Sequence, residues 1–156
     1  MRALLLAAAA LLMGGTGWSV TQGFAHGPDT KLEATGSGTN MLTLEDAQIK
    51  MLVDQELLPE GEVEVGVLYL PVGYMNSGGH QHGSTEVFYV IEGRLIHVLN
   101  GEKHVLEPGT VGIVRKGDTI DHGVEGDVPV KALVIWAPGG EADRLIEMGF
   151  KSAPLD

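Results

Sequence analysis

His80 and His82 stand two residues apart, and Glu86 follows four residues later, in the stretch His-Gln-His-Gly-Ser-Thr-Glu. Side chains at i and i+2 of an extended strand leave on one face, so both imidazoles are expected to point into the same interior. Glu86, Phe88 and Val90 share a face in the next extended segment, which the turn at Gly83-Ser84-Thr85 folds back. Two neutral imidazoles and a carboxylate converging inside a β framework make a site for a first-row divalent metal, with positions left for exchangeable ligands. Tyr74 lies in the loop just before the pair. It is a candidate catalytic or substrate-facing hydroxyl, against the plainer role of a loop-packing residue.

The elements that must carry these residues are short and extended. Val63, Val65, Val67 and Tyr69 alternate with Glu64, Gly66, Leu68 and Leu70, as in a strand with one well-buried face. Arg94 to Leu99 and Glu102 to Leu106 flank Asn100-Gly101, the strongest short hairpin signal. Val111 to Val114, His122 to Glu125 and Ala132 to Trp136 are further strands, separated by turns at Pro108-Gly109, Lys116-Gly117-Asp118 and Asp127-Val128-Pro129. Ile49 to Val53 reads as an edge strand, and Asp54 to Leu58 as a helical turn stopped by Pro59. Glu141 to Met148 has helical spacing with acids early in the segment, and is expected to pack outside the strands. Short strands with a turn every eight to twelve residues indicate an all-β sandwich or barrel. No internal repeat is present, so one such unit is expected.

Composition narrows the partners. A chain of 156 residues supports one domain, and 23 glycines with few aromatics suit a turn-rich β fold. The formal net charge is -11 and no Lys/Arg cluster occurs, which makes nucleic acid and anionic membranes poor partners. The absence of cysteine excludes disulfides, thiolate catalysis and lipoprotein anchoring.

Residues 1–25 look like an export signal. Met1-Arg2 is a short positive start, Ala3 to Met13 an apolar run too short to span a bilayer, and Gly23-Phe24-Ala25 offers small residues for a signal peptidase. The alternative is an uncleaved anchor. Cleavage after Ala25 predicts a periplasmic or secreted protein with no stable membrane span, and a flexible leader over 26–42. It would also leave His26 first, where amine and imidazole can chelate copper; one histidine without partners carries little weight. A chain exported unfolded meets its metal outside the cytoplasm, where the affinity order favours copper and zinc.

The central stretch resembles the first motif of the cupin family. His80-x-His82-x3-Glu86-x6-Gly93 matches it in every spacing after the initial glycine, whose place Tyr74 takes. The second motif is matched more loosely over Gly109 to Gly126. Gly109 and Gly117 fit, Arg115 stands where proline is usual, four residues rather than two separate Gly117 from His122, and Gly126 replaces the final asparagine. The two-residue insertion keeps strand parity, so His122 can still face inward.

The resemblance implies a single cupin-type β-barrel (a jelly-roll-like double-stranded β-helix) over 43–150, with its core at 63–137, a short C-terminal helix and a tail at 151–156. It also implies a metal held by His80, His82, Glu86 and His122, with Fe, Mn, Ni, Cu or Zn all suited to that set. For His97 and His104, on the arms of the hairpin, an exposed or hydrogen-bonded role is expected. Arg94 and Arg115 are read as solvated charges rather than anion receptors.

The function expected from these features is metal-dependent chemistry on a small organic molecule. Oxygenase-type chemistry is slightly favoured over lyase, decarboxylase or isomerase chemistry. The rival is a non-catalytic module that binds metal or a small ligand. A homodimer paired through sheet edges is expected, with Ile49 to Val53 as one such edge.

Overall fold

A computed structural model describes residues 38–155. The expected export signal, and the leader up to residue 37, lie outside the described residues. Ten strands and one helix follow in order: β1 (Asn40–Leu44), β2 (Ala47–Val53), β3 (Glu64–Leu70), β4 (Thr85–Glu92), β5 (Leu95–Leu99), β6 (Glu102–Leu106), β7 (Val111–Val114), β8 (Ile120–Val124), β9 (Val130–Ala137), α1 (Glu141–Glu147) and β10 (Lys151–Pro154). The strands form a seven-stranded sheet, β10-β1-β2-β3-β9-β4-β7, and a three-stranded sheet, β6-β5-β8. All the pairings are antiparallel. The all-β class and the short C-terminal helix agree with expectation. The strands make two sheets rather than one continuous hydrogen-bonded cylinder.

Local chemistry explains the turns. Asn100 and Gly101 both take positive φ, 51° and 84°, the signature of the tight turn whose twist matches that of its strands. This sets His97 opposite His104. Gly93, which closes the first motif, has φ 73°, and a Cβ there would lie 2.4 Å from the Pro129 carbonyl oxygen. No other residue fits between β4 and the start of β9.

Alternation sorts the core. Phe88 and Val90 of β4, Ile120 and Val124 of β8, and Ala132, Val134 and Trp136 of β9 all point inward. β3 departs from expectation. Its buried series is Glu64, Gly66, Leu68 and Leu70, with Val67 of the opposite face buried as well, while Val65 and Tyr69 are only half-buried. Both faces of β3 are apolar enough to be core, so tertiary partners choose between them. Gly66 sits where a Cβ would press on Ile49 and Trp136, and Glu64 has a partner described below.

Three further expectations are corrected. The segment 49–53 is no edge, because β2 lies between β1 and β3. The leader expected through residue 42 gives way to β1 at Asn40, and the expected tail from residue 151 is β10, which pairs with β1. Both strands are short, and neither carries a clear alternation. The helical turn at 54–58 is present, with the Leu58 N–H donating to the Asp54 carbonyl at 2.8 Å.

Candidate metal centre

Three different segments deliver the four candidate ligands. His80 and His82 lie in the connection before β4, not on a strand as expected. Only His80 makes a β-bridge, exchanging backbone hydrogen bonds with Ile120 of β8 at 3.0 and 2.9 Å. Asp121 holds the same loop by accepting the Gly79 N–H at 2.9 Å. The two rings nonetheless meet, edge to face, with centroids 4.8 Å apart. Glu86 comes from β4 and His122 from β8. The longer turn before His122 is pinned by Asp118 and Asn100, whose side chains bond each other and the loop backbone. Parity therefore survives and His122 is buried, 5.9 Å from the His80 ring.

The buried tips of three of these side chains face one another. His82 Nε2 is 3.0 Å from Glu86 Oε2, and His122 Nε2 is 3.9 Å from the same oxygen. Their alignment is not that of hydrogen bonds: His82 Nε2, Glu86 Oε2 and His122 Nε2 are all buried without a partner. Buried polar atoms are almost always satisfied, so three orphans at one point fit a cation bound among them. Nitrogen and oxygen donors without sulfur suit a divalent first-row ion. Among the described residues, no three His, Asp or Glu side chains are drawn tightly enough to hold an ion as they stand.

The other ends of these ligands are occupied. Trp136, paired with Glu86 across β4 and β9, donates Nε1–H to Glu86 Oε1 at 2.8 Å. That leaves Oε2 for the centre. His82 Nδ1 is 3.1 Å from Glu141 Oε2, on α1. Asn76 accepts the His122 backbone N–H through Oδ1 and brings Nδ2 to 3.4 Å from His80 Nδ1. Sequence reasoning missed Glu141 and Asn76. It gave no sign that Trp136, the end of an expected strand, would donate to a candidate ligand.

Electrostatics prepare the imidazoles differently. Burial, helped by the neighbouring His82, lowers His80 to about 4, against the opposing pull of Asp121 and Glu141. Burial, with His97, His80 and His82 nearby, holds His122 well below its usual value. Both are neutral, as a ligand must be. His82 goes the other way. Burial works against its charge, but the Glu141 and Glu86 carboxylates outweigh it and raise the group to about 9. Of the two ring protons these carboxylates favour, the one at Nε2 is the one a bound cation would replace, which leaves Nδ1–H toward Glu141. Burial raises Glu86, which the His82 and Trp136 contacts partly offset.

The centre opens on a cavity of about 630 Å³, lined also by Tyr74, Phe88 and Val134 and, at the β1–β2 turn, by Glu45 and Asp46. Tyr74 therefore shares the cavity with the expected ligands. Burial, with Glu45 nearby, raises its pKa, which keeps the hydroxyl protonated. Among the described residues no Lys or Arg lines this space. Arg94 is an exposed partner of Glu107 and Arg115 is exposed, in keeping with solvated charges. His97 corrects the sequence-based expectation. It is buried, its Nδ1 has no hydrogen-bond partner, and its ring lies 5.6 Å from that of His122.

Residues 66–136 match the model of the Cupin_2 family, described as a cupin domain. The matched segment runs from β3 to β9 and contains His80, His82, Glu86 and His122. Solved structures agree on the fold. KdgF from a Halomonas species superposes with a TM-score of 0.55 at 18% identity, over 65% of this chain and 88% of that one. A cupin-like protein from Thermotoga maritima gives 0.54 at 18%, over 78% and 82%. The cupin domain of Cnp3 from Schizosaccharomyces pombe gives 0.54 at 17%, over 69% and 75%. No curated protein matches the chain. Neighbours with such different names share this fold, and the chemistry of this chain must be argued from its own site.

Proposed function

We propose that this protein is an exported, metal-binding cupin barrel that acts on a small organic molecule in the cavity, with oxygenase-type chemistry favoured. The observation that carries this is the cluster of three unpartnered buried atoms, His82 Nε2, Glu86 Oε2 and His122 Nε2, at the wall of a cavity of about 630 Å³. His80, His82, Glu86 and His122 would hold one divalent ion of Fe, Mn, Ni, Cu or Zn. Such an ion supplies Lewis acidity and, if redox-active, access to dioxygen chemistry. The chain's own groups do the rest. Phe88 and Val134 exclude water from one side of a bound molecule, and Tyr74 presents a protonated hydroxyl that can donate a hydrogen bond or a proton.

A lyase or isomerase needs a base beside the substrate carbon, and a hydroxyl whose pKa is raised serves poorly as one. That weights the choice toward oxygenation. The test is metal analysis of protein taken from its exported fraction, followed by oxygen uptake with catechol- or flavonol-like chelators. A redox-active metal at one per chain with substrate-dependent uptake supports the proposal; absence of any bound divalent ion overturns it. The second reading is a non-catalytic binding module, in which the Tyr74 hydroxyl and the Glu45 and Asp46 carboxylates of the cavity hold a ligand without exchanging protons with it. Metal at one per chain with no turnover across the panel would select it.

We further infer a homodimer formed through the outer face of β4 and β7. Tyr89, Ile91, Val111 and Ile113 there are each about half exposed and form an adjoining apolar patch on a strongly acidic chain. β7 is also an end strand of its sheet.

A further inference from the structure

The C-terminal helix lies outside the segment that matches the family, yet one of its side chains reaches the back of a metal ligand. Glu141, fully buried, approaches His82 Nδ1 with Oε2 at 3.1 Å. Its other oxygen accepts the Gly83 N–H and the Ser84 hydroxyl, the latter at 3.2 Å. Both carboxylate oxygens are therefore fixed by neighbours of the ligand itself. Gly83 permits this seating, because a Cβ there would lie 2.9 Å from Glu141 Oε1.

A second carboxylate holds the first in place. Gly140, which begins α1, offers no side-chain cap. Glu64 of β3 takes that role from a distance, with Oε2 accepting the backbone N–H groups of Glu141 and Ala142 at 2.8 and 2.9 Å. This accounts for a buried glutamate on the inward face of β3.

We propose that Glu141 is a positioning residue for the metal centre: by accepting the Nδ1–H of His82 it fixes the tautomer that turns the Nε2 lone pair toward Glu86 and His122. The inference rests on the metal-binding function proposed above. An imidazole whose rear N–H is held by a carboxylate is oriented before the ion arrives and is a more basic donor. A neutral amide cannot replace it. In Glu141→Gln, an amide oxygen facing His82 puts the NH2 against the Gly83 N–H. The reverse orientation puts the NH2 against Nδ1 and drives the proton to Nε2, where it blocks ligation.

The test compares wild type and Glu141→Gln for Co(II) and Zn(II) affinity by chelator competition, for the visible absorption of the Co(II) form, and for His82 tautomer by imidazole nitrogen NMR. Glu141→Gln is expected to weaken both metals about 10–100-fold, to alter the Co(II) spectrum and to lose the Nδ1–H signal of His82. The melting of the metal-free protein should change far less than the metal affinity. Unchanged affinity with the Nδ1–H tautomer retained overturns the inference and makes Glu141 a helix anchor only. If Glu141→Gln does not fold, Ser84→Ala, which removes one donor from Oε1, replaces it. A few-fold loss of affinity then supports the inference, and none overturns it. Failure of the wild type to bind either metal overturns the proposed function itself, not the role of Glu141 alone.

Discussion

At the scale of single residues, the site depends on groups that are satisfied on one side and left open on the other. Trp136 gives the Glu86 carboxylate its only hydrogen bond among the described residues, and the opposite oxygen faces the imidazoles. Trp136→Phe should leave Oε1 unsatisfied, costing about 1–3 kcal/mol of stability and weakening metal binding about tenfold. Denaturant melts and chelator competition check both, and unchanged values would show the bond to be incidental. His97 is an acid-sensitive member of the group that is not among the candidate ligands. Burial, with His104 adding, lowers it to about 4 in the folded chain, against about 6.5 unfolded. Between these values the unfolded chain binds the proton and the folded chain does not, so stability falls as pH drops from 6.5 toward 4. The loss is on the order of 2–3 kcal/mol. Melts of His97→Phe between pH 4 and 7 should be flatter than those of the wild type. Parallel curves would remove His97 from the account.

At the scale of elements, α1 has only seven residues and is too short to persist alone. Two anchors keep it in place: Leu145 in the core, and Glu64 on its first N–H groups. Glu64→Ala should cost about 1–2 kcal/mol, and hydrogen exchange should accelerate over 141–147 before it does in β4 or β9. Equal acceleration everywhere would contradict a local anchor. The helix itself was legible, from Leu145, Ile146 and the early acids, and so were β4, the Asn100-Gly101 hairpin and β7. What these elements do for one another was not. Glu141 and His82 are 59 positions apart in sequence, and no local pattern marks a carboxylate that will meet an imidazole after folding. The facing of β3 failed for the same reason: valines on one side and leucines on the other balance, and Glu64 and Gly66 find their partners only in three dimensions.

At the scale of the whole molecule, a chain of formal net charge -11 carries an adjoining set of exposed apolar side chains on β4 and β7. The patch on β4 and β7 predicts a dimer in sedimentation at micromolar concentration. Tyr89→Glu combined with Ile113→Glu, both outward-facing, should give a monomer with its metal affinity intact. A monomeric wild type would leave the patch without a partner of its own kind. That His80, His82, Glu86 and His122 line one interior cavity was legible at this scale too, from one spacing pattern and one preserved parity. Their surroundings were not, since Asn76 and Glu141 come from segments with no distinguishing sequence.

Pairing of β1 with β10 sets Asn40 beside Pro154 and Thr43 beside Lys151. The cavity lies toward the Leu44 and Phe150 ends of these strands. Both described ends of the polypeptide therefore depart together from the rear of the fold, roughly four residues or about 14 Å behind the opening. A linker joined directly at residue 38, or after residue 155, would start at that rear edge and point a fused partner away from the mouth.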